Sequence, residues 1–421
     1  MALPAVRRRV FLGGQAVSLF GDGLAVLAVP LLVLQLTRSP VAATLAAAPR
    51  TVGYLLVGLV AGPVVDRVDP WPLMIAMDAL RLVSFTAMFA LAEAGALPVW
   101  AVLVLAFAAG GAGVFFESAL MVAVKDVFAA GALVRVNALL ELAGQVARVA
   151  GPAAVGLLAV TVGVPSALLA NAATFGVSLV TLLAVRRTRA VGTRVVGTRA
   201  AAGRTDGAVA ARFAAGARRM AGELRDGLRY IRATRVLLAI TLVQVVCNFV
   251  LGAEKLVVFF LRDTLALGPA AVSAVVVAGG LGGVLGALVA PRLAAWLGEM
   301  RVIVGGIAVL GVAFALVGVA GELPAVGVTV GVSYGVMLCA QTAAGVVNRS
   351  MRLRIVPREL TGRVFSMTRL AFGGVDPAGA AVAGVLTGAL GGDPRAVFVA
   401  AGVIVTATAV TARATALRPR A

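Results

Sequence analysis

The sequence predicts an all-α polytopic membrane protein with twelve transmembrane helices, arranged as two parallel-repeated six-helix bundles. Three observations predict this fold class. Residues of the apolar set AVILMFWYC make up 61% of the 421 positions, whereas charged residues make up only 13%. Apolar runs long enough to cross a hydrocarbon core of ~30 Å recur along the chain. Landmarks of the first half also return in the second half at a nearly constant offset.

Twelve apolar runs lie between polar breaks, and we take each as one membrane-spanning helix. They cover residues 10–35, 41–65, 73–93, 98–118, 137–160, 165–185, 236–261, 270–291, 301–320, 324–348, 363–389 and 395–412. The first run follows Arg8 and Arg9, as in an export signal, but it contains Asp22 and many more runs follow it. We therefore expect it to stay in the protein as the first helix, held by its positive flank.

The basic residues predict the orientation in the membrane. The chain has 37 Lys and Arg against 18 Asp and Glu. With the N-terminus inside, twenty-nine of these basic residues fall in inner segments, and only Arg38, Arg262 and Arg395 fall in outer ones. The positive-inside rule then places both termini in the cytoplasm. Because the charge follows topology, we expect no nucleic-acid partner. The preference for Arg over Lys is typical of a GC-rich bacterial genome, which predicts the cytoplasmic (inner) membrane of a bacterium.

The segment 186–235 interrupts the apolar pattern with thirteen Arg and three acids. It divides the chain into an N-terminal six-helix bundle at 1–185, a cytoplasmic basic linker, and a C-terminal six-helix bundle at 236–421. The second half of the linker has apolar residues at spacings of three and four, namely Phe213, Ala217, Met220, Leu224, Leu228 and Ile231. This pattern predicts an amphipathic helix on anionic lipids at the cytoplasmic face, with a solvated connector as the alternative.

Four pairs of landmarks predict the internal repeat. They are Pro40 and Pro269, Pro63 and Pro291, Arg135 and Arg363, and Pro152 and Pro377, at offsets of 229, 228, 228 and 225 residues. An apolar composition alone could produce one such match, but hardly four in register. We therefore expect two six-helix units in the same orientation.

Composition excludes several kinds of site. The chain has no His, and its two cysteines, Cys247 and Cys339, lie in separate apolar runs. Neither a metal centre nor a disulfide framework has enough ligands or partners. The two lysines, Lys125 and Lys255, do not lie in a G-x-x-x-x-G-K context, so the sequence has no P-loop for ATP hydrolysis. Without His, a Ser-His catalytic arrangement cannot form. We expect no cofactor, no metal and no enzyme activity.

The segment Gly62-Pro-Val-Val-Asp66-Arg67 resembles the G-x-x-x-D-R gating loop of the major facilitator superfamily, although Asp69-Pro-Trp71 stands where that family has Gly and two basic residues. Gly151 and Pro152 are similar to the family's antiporter motif. The segments Ser18-Leu-Phe-Gly-Asp22, Leu133-Val-Arg-Val-Asn137 and Val356-Pro-Arg-Glu-Leu-Thr-Gly-Arg-Val364 resemble its drug:proton antiporter branch, which holds macrolide-efflux and enterobactin-exporter proteins.

The resemblance implies the major facilitator fold and a function. Runs one, four, seven and ten would line a central cavity, and runs two, five, eight and eleven would form the seam between the halves. The implied activity is proton-coupled export of a hydrophobic drug-like molecule or siderophore by alternating access, in a monomer. An importer or facilitator of a small metabolite on the same fold is the alternative. A non-transport role, such as a sensor or lipid-moving protein, is a third.

Ionised residues within the membrane need a partner, a cavity or a function because they cost at least ~2.5–3.5 kcal/mol. The candidates for proton coupling are Asp22, Glu254, Asp376, Glu141 and Glu117. Asp22 is the first choice because it lies at the middle of its run. Arg50 is its expected partner, at a depth difference of ~6 Å; a permanent structural ion pair is the alternative. Asp78 and Arg81 are expected only to steady the loop at Asp66.

Two charge pairs suggest a contact between the halves. Glu141 and Arg148 are seven residues apart, as are Arg369 and Asp376, so each pair lies on one helix face. The offset of 228 maps each pair onto the other with exchanged signs. We expect these four residues to form an inter-half charge lock, unless they are two unrelated anchors at helix ends.

The runs assigned to the cavity supply candidate substrate contacts. These are Phe20, Phe115, Phe116, Gln244, Asn248, Phe249, Tyr334 and Gln341. A mostly apolar cavity with a few polar groups suits a lipophilic small molecule better than a sugar, which needs many hydrogen bonds. Lipid-facing or packing roles are the alternative for any one of them.

Overall fold

The computed structural model describes residues 4–38, 57–58, 61–187, 222 and 225–415. These residues are nearly all helical. Among them, eleven helices are long and apolar enough to cross a membrane. Most of the predicted run 41–65, and Arg50 with it, lies outside the described residues.

The described helices follow the predicted runs closely. Those of the first half are α1 (Ala5–Thr37), α2 (Pro70–Glu93), α3 (Val99–Val127), α4 (Leu133–Thr161) and α5 (Val164–Arg187). Those of the second half are α6 (Arg235–Leu251), α7 (Pro269–Leu297), α8 (Glu299–Val319), α9 (Val326–Ile355), α10 (Thr361–Ala389) and α11 (Arg395–Thr415).

Several helices extend past the end of their apolar run. α3 continues to Val127 and α9 to Ile355, through polar positions such as Lys125 and Arg354. Hydropathy marks only the part of a helix that fits the hydrocarbon layer. Backbone hydrogen bonds carry the helix further, into the region where charged side chains meet water and lipid headgroups.

The two halves share one packing pattern. α1 packs against α4 and α5, and α6 packs in the same way against α10 and α11. α2 contacts α3 and α5, and α8 likewise contacts α9 and α11. Each half also has its own buried aromatic contacts: Phe11 lies 5.4 Å from Trp71 between ring centroids in the first half, and Phe260 lies 5.2 Å from Phe398 in the second.

The end of α6 is irregular where it meets α10. A 3-10 segment (Gly252–Leu256), a single α-turn (Val257–Phe259) and a π-helical segment (Phe260–Thr264) follow Leu251. A Cβ on Gly379 would lie 1.7 Å from the carbonyl oxygen of Phe249, and one on Gly252 would lie 2.3 Å from the nitrogen of Ala380. Only glycine permits this backbone contact, which locks α6 to α10.

Little of the predicted amphipathic helix can be assessed. Leu228 and Ile231 lie in the helical stretch 225–233, whereas Phe213, Ala217, Met220 and Leu224 lie outside the described residues. Ile231 is buried against Leu237 and Val356, and the Tyr230 hydroxyl donates to the carbonyl of Ile355 at 3.0 Å. This end of the stretch therefore packs against protein instead of lipid.

A close helix contact in the second half gives a stability prediction. A Cβ on Gly282 of α7 would lie 2.0 Å from the carbonyl oxygen of Gly335 of α9. Gly282→Ala forces the two helices apart, so we expect it to destabilise the protein by about 1–3 kcal/mol. Thermal unfolding of the purified protein measures the loss.

Gly305→Ala in α8 is the matched control, because nothing lies within 4 Å of its added Cβ. It removes a helix-interior glycine, so its melting temperature should equal or exceed that of the wild type. Equal melting temperatures for the two variants would show that the α7 to α9 contact does not limit stability.

Candidate functional site

A cavity of about 570 Å³ lies between the two halves and is lined from α1, α3, α4, α6, α9 and α10. Its charged and polar lining residues are Glu117, Glu141, Arg148, Gln244, Asn248, Asn348, Arg349, Arg352, Thr368, Arg369 and Asp376. Phe365 and Phe372 are among its apolar ones. The cavity is therefore more charged than the mostly apolar one that the sequence predicts.

Two of the eight predicted substrate contacts, Gln244 and Asn248, line this cavity. The structure places the other six elsewhere. Phe20 lies in a separate apolar groove between α1 and α4, and Phe115, Phe116, Phe249, Tyr334 and Gln341 do not line the charged cavity either. The physical reason is helix rotation: membership of a cavity-lining helix does not decide which side chains point inward.

Each carboxylate that lines the cavity has a basic partner. Glu117 pairs with Arg369 at 2.7 Å. Glu141 pairs with Arg148 at 3.0 Å and with Arg349 at 3.3 Å. Asp376 pairs with Lys255, which is outside the cavity lining, at 3.7 Å.

These pairs correct the predicted charge lock. Glu141 and Arg148 do pair within α4, but Arg369 and Asp376 take other partners. The link between the halves is made by Glu141 to Arg349, from α4 to α9, and by Arg369 to Glu117, from α10 to α3. Glu141 and Arg369 occupy equivalent repeat positions with exchanged signs, as predicted. The sequence did not predict their partners, which lie in the opposite half: Arg349 of α9 for Glu141 and Glu117 of α3 for Arg369.

Asp22 belongs to a buried charge triad in the first half. Its carboxylate pairs with the Arg81 guanidinium, which also lies 3.5 Å from Asp78. The Asp78 side chain is fully buried, that of Arg81 is 5% exposed and that of Asp22 is 29% exposed. Phe175 lies against Arg81, with the ring centroid 4.0 Å from Cζ.

This triad corrects one expectation and leaves another untested. The described partner of Asp22 is Arg81, and its expected pairing with Arg50 stays a prediction because Arg50 lies outside the described residues. Asp78 and Arg81 do not steady the loop at Asp66; they hold Asp22. Arg81 is the twelfth of the 24 residues of α2 and so lies at mid-membrane. The apolar run begins at residue 73, three residues after the helix begins at Pro70, so depth counted along the run is too shallow for Arg81.

Gly151, in the segment that resembles the family's antiporter motif, lies against the backbone next to Asp22. A Cβ on Gly151 of α4 would lie 2.4 Å from the carbonyl carbon of Gly23, and one on Gly23 would lie 2.3 Å from the carbonyl oxygen of Ala147. The backbones of α1 and α4 therefore touch at the residue that follows Asp22. Pro152 lies within α4 directly after this contact.

Glu254 accepts a hydrogen bond from the Tyr334 hydroxyl at 2.9 Å, from α9. Lys255, the next residue along the chain, pairs with Asp376. Since Tyr334 and Glu254 both belong to the second half, this bond braces that half internally.

The halves close against each other at one end of the bundle. We call this end the basic face, because it is on the side to which the charge pattern of the whole chain assigns the Arg-rich inner segments; the segment 61–69 and the connections 128–132 and 356–360 form it. Within the gating loop, Asp66 accepts from the backbone N–H of Gly362 at 2.6 Å and of Arg363 at 3.0 Å. A Cβ on Gly62 would lie 2.7 Å from the carbonyl oxygen of Gly362. Arg67 is exposed beside them.

Further contacts seal the basic face. The Arg358 guanidinium donates two hydrogen bonds to Asp126, both at 2.7 Å. The Lys125 ammonium donates to the carbonyl of Val356. Deeper in the bundle, Gln145 of α4 donates to Thr342 of α9 at 3.1 Å. These contacts between the halves therefore lie between mid-depth and the basic face.

Comparisons with known proteins agree with this architecture. The sequence profile of the Major Facilitator Superfamily matches residues 11–375. The multidrug efflux pump Tap of Mycolicibacterium fortuitum is 29% identical over 381 residues, which is 88% of this chain and 87% of Tap.

Solved structures show the same fold at low sequence identity. A bacterial homologue of the iron transporter ferroportin, in an outward-facing state with soaked iron, has a TM-score of 0.73 at 16% identity, with 97% of this chain and 99% of that chain covered. The human organic anion transporter MFSD10 (TETRAN) has a TM-score of 0.69 at 18% identity, with 97% and 100% covered. The predicted fold class is confirmed, and the protein is a multi-pass membrane transporter and not an enzyme. The chain belongs to the Major Facilitator Superfamily.

Proposed function

We propose that this transporter exports a hydrophobic drug-like molecule or siderophore in exchange for protons, by alternating access of its two halves. The similarity to the efflux pump Tap supports export. The observation that carries proton coupling is the triad of Asp22, Arg81 and Asp78, where two carboxylates share one guanidinium in the middle of the membrane.

The charge of the triad makes it a proton site. With both carboxylates ionised, the triad has a net charge of −1, which is costly at mid-membrane. One proton neutralises it. Asp22 is the carboxylate that a proton from outside the triad can reach, because its side chain is partly exposed, whereas Asp78 is fully buried behind Arg81. Arg81 therefore keeps a partner in both protonation states, and neither state leaves a buried cation alone.

The triad lies next to the charged cavity. The ring of Phe116 lies 5.6 Å from the Arg81 guanidinium, and the following residue, Glu117, pairs with Arg369 of the other half. A change of charge on Asp22 therefore acts at short range on a contact that joins the halves.

The contacts that close the basic face indicate to which side of the membrane the cavity is closed. If this end of the bundle is cytoplasmic, as the charge pattern of the whole chain predicts, the cavity is closed toward the cytoplasm. Loading of a substrate from inside then requires the contacts of Asp66, Asp126 and Lys125 with the second half to break. The protein would work in the inner membrane of a bacterium, as a monomer, with anionic lipids at its cytoplasmic face.

Replacing Asp22 tests the proton site. In inverted vesicles that respiration has acidified, a pH-sensitive dye reports proton release when lipophilic drugs, macrolides or siderophores are added. We expect particular compounds to trigger release with the wild type and none to do so with Asp22→Asn, because the amide cannot carry the proton. Glu322→Gln is the matched control, since Glu322 is exposed in a connection outside the membrane, and it should behave as the wild type.

Two outcomes would contradict the proposal. Equal release from the wild type and Asp22→Asn would reduce the triad to a permanent structural ion pair. No release with any compound, together with accumulation of a solute in energised cells that is lost on deletion, would favour the importer on the same fold.

The gating loop predicts a pH-dependent closure. Burial raises the pKa of Asp66 to about 6, although the N–H groups of Arg363 and Gly362 and the Arg363 guanidinium oppose the shift. In an open face the exposed carboxyl would return to its ordinary value of 3.8. Between pH 3.8 and about 6 the closed face thus binds more protons than the open face. Closure is therefore favoured as the pH falls through 6, and this stabilisation of the closed face is lost as the pH rises again. From pH 7 to pH 5 the closed-to-open ratio should rise about tenfold.

Spin labels at Ala129 and Pro357, in a Cys247→Ala and Cys339→Ala background, measure the closed population across the basic face. We expect the closed population to rise between pH 7 and pH 5 in the wild-type protein and to stay constant with pH in Asp66→Asn. Since the chain contains no His, few other groups titrate in this range. A pH response that survives in Asp66→Asn would assign the effect to another group.

A further inference from the structure

The charged cavity has one more arginine than carboxylates. Its lining includes Arg148, Arg349, Arg352 and Arg369 against Glu117, Glu141 and Asp376. Each of the three carboxylates has at least one basic partner, and the arginines in those pairs are Arg148, Arg349 and Arg369. Arg352 is the arginine left over, and no ion pair joins it to a described carboxylate.

Arg352 is buried at the end of the cavity nearest the basic face. Its exposed fraction is 5%. The ring of Phe372 covers one side of the guanidinium, with its centroid 4.8 Å from Cζ. Among the described residues, neither Nε nor Nη2 has a hydrogen-bond partner. These two groups point the same way from the planar head and form the fork that binds a carboxylate or phosphate through two hydrogen bonds.

The buried position of the Arg352 guanidinium is unfavourable unless an anion pairs with it. A buried guanidinium without a counter-charge pays a large desolvation penalty. Arg349, one helical turn away on α9, adds a second positive charge to the same helix face. Glu141 already pairs with Arg349, so no lining carboxylate is left over for Arg352. An anion that enters the cavity would relieve the penalty.

We propose that Arg352 binds an anionic group of the transported molecule, a carboxylate or a phosphate, through Nε–H and Nη2–H at the end of the cavity nearest the basic face. Phe372 contacts the apolar or aromatic part next to that group. The inference rests on the proposed function only in that the bound molecule is the transported one. It narrows the substrate class from lipophilic molecules in general to lipophilic anions and zwitterions.

A matched pair of fluorescent compounds tests this recognition. Dansylglycine carries a carboxylate, and dansylglycinamide has a neutral amide in its place. We expect wild-type protein in phosphatidylcholine nanodiscs to bind dansylglycine at least about tenfold more tightly, because two charge-assisted hydrogen bonds are lost with the amide. Arg352→Gln should remove the preference, and Arg352→Lys should keep part of it, since lysine retains the charge but not the fork.

Arg354→Gln is the matched control. Arg354 lies two residues further along α9 and pairs with Glu299 instead of lining the cavity. The Arg354→Gln variant should bind both compounds as the wild type does. Thermal unfolding of each variant shows whether it is folded, and Arg352→Gln should melt at or above the wild type because an unpaired buried charge is gone.

The outcomes separate the inference from the proposed function. A carboxylate preference lost in Arg352→Gln supports the inference, even if the vesicle assay shows no proton exchange. If phosphatidylglycerol in the discs weakens dansylglycine binding by the wild type but not by Arg352→Gln, the anion is a lipid headgroup and the assignment to the transported molecule is overturned. No preference in the wild type, or a preference that survives Arg352→Gln, would overturn it, even if the vesicle assay demonstrates export of neutral or cationic compounds.

Discussion

The cost of placing an ionised group in hydrocarbon governs this structure. Nearly every charged side chain at depth has a partner of opposite sign, and the choice of partner decides which helices are linked. Glu141 with Arg349 and Arg369 with Glu117 join the two halves, whereas Asp22 with Arg81 stays within the first. In the proposed transport cycle, ion pairs of the first kind must rearrange, whereas a pair of the second kind can persist.

Glycine contacts set where these charges lie. The contact of Gly23 with α4 fixes the height and rotation of Asp22, and the contact of Gly379 with α6 does the same for nearby Asp376. Both carboxylates thus sit beside points where two backbones touch. Small residues at these points serve packing and position a titratable group in the same step.

Much of the fold could be predicted from the sequence, and less of the site. Helix positions were predictable because the length of an apolar run is set by membrane thickness. The exchanged signs of Glu141 and Arg369 were readable from the repeat offset. Their partners were not, because Arg349 and Glu117 belong to helices whose rotation depends on tertiary packing. Arg81 was misjudged for a related reason: the helix begins before the apolar run, so depth counted from hydropathy was too shallow.

The glycine contact between α6 and α10 has a mechanical consequence. Two helices whose backbones interlock, with Gly379 against Phe249 and Gly252 against Ala380, cannot slide past each other without steric clash. This contact therefore fixes the positions of the two helices relative to each other, and Glu254 and Asp376 lie beside it. Where α4 meets α7, by contrast, the side chains of Val149 and Gln145 fill the contact against glycines. Side chains can change rotamer. The contact between α4 and α7 can therefore adjust in a way that the backbone contact between α6 and α10 cannot.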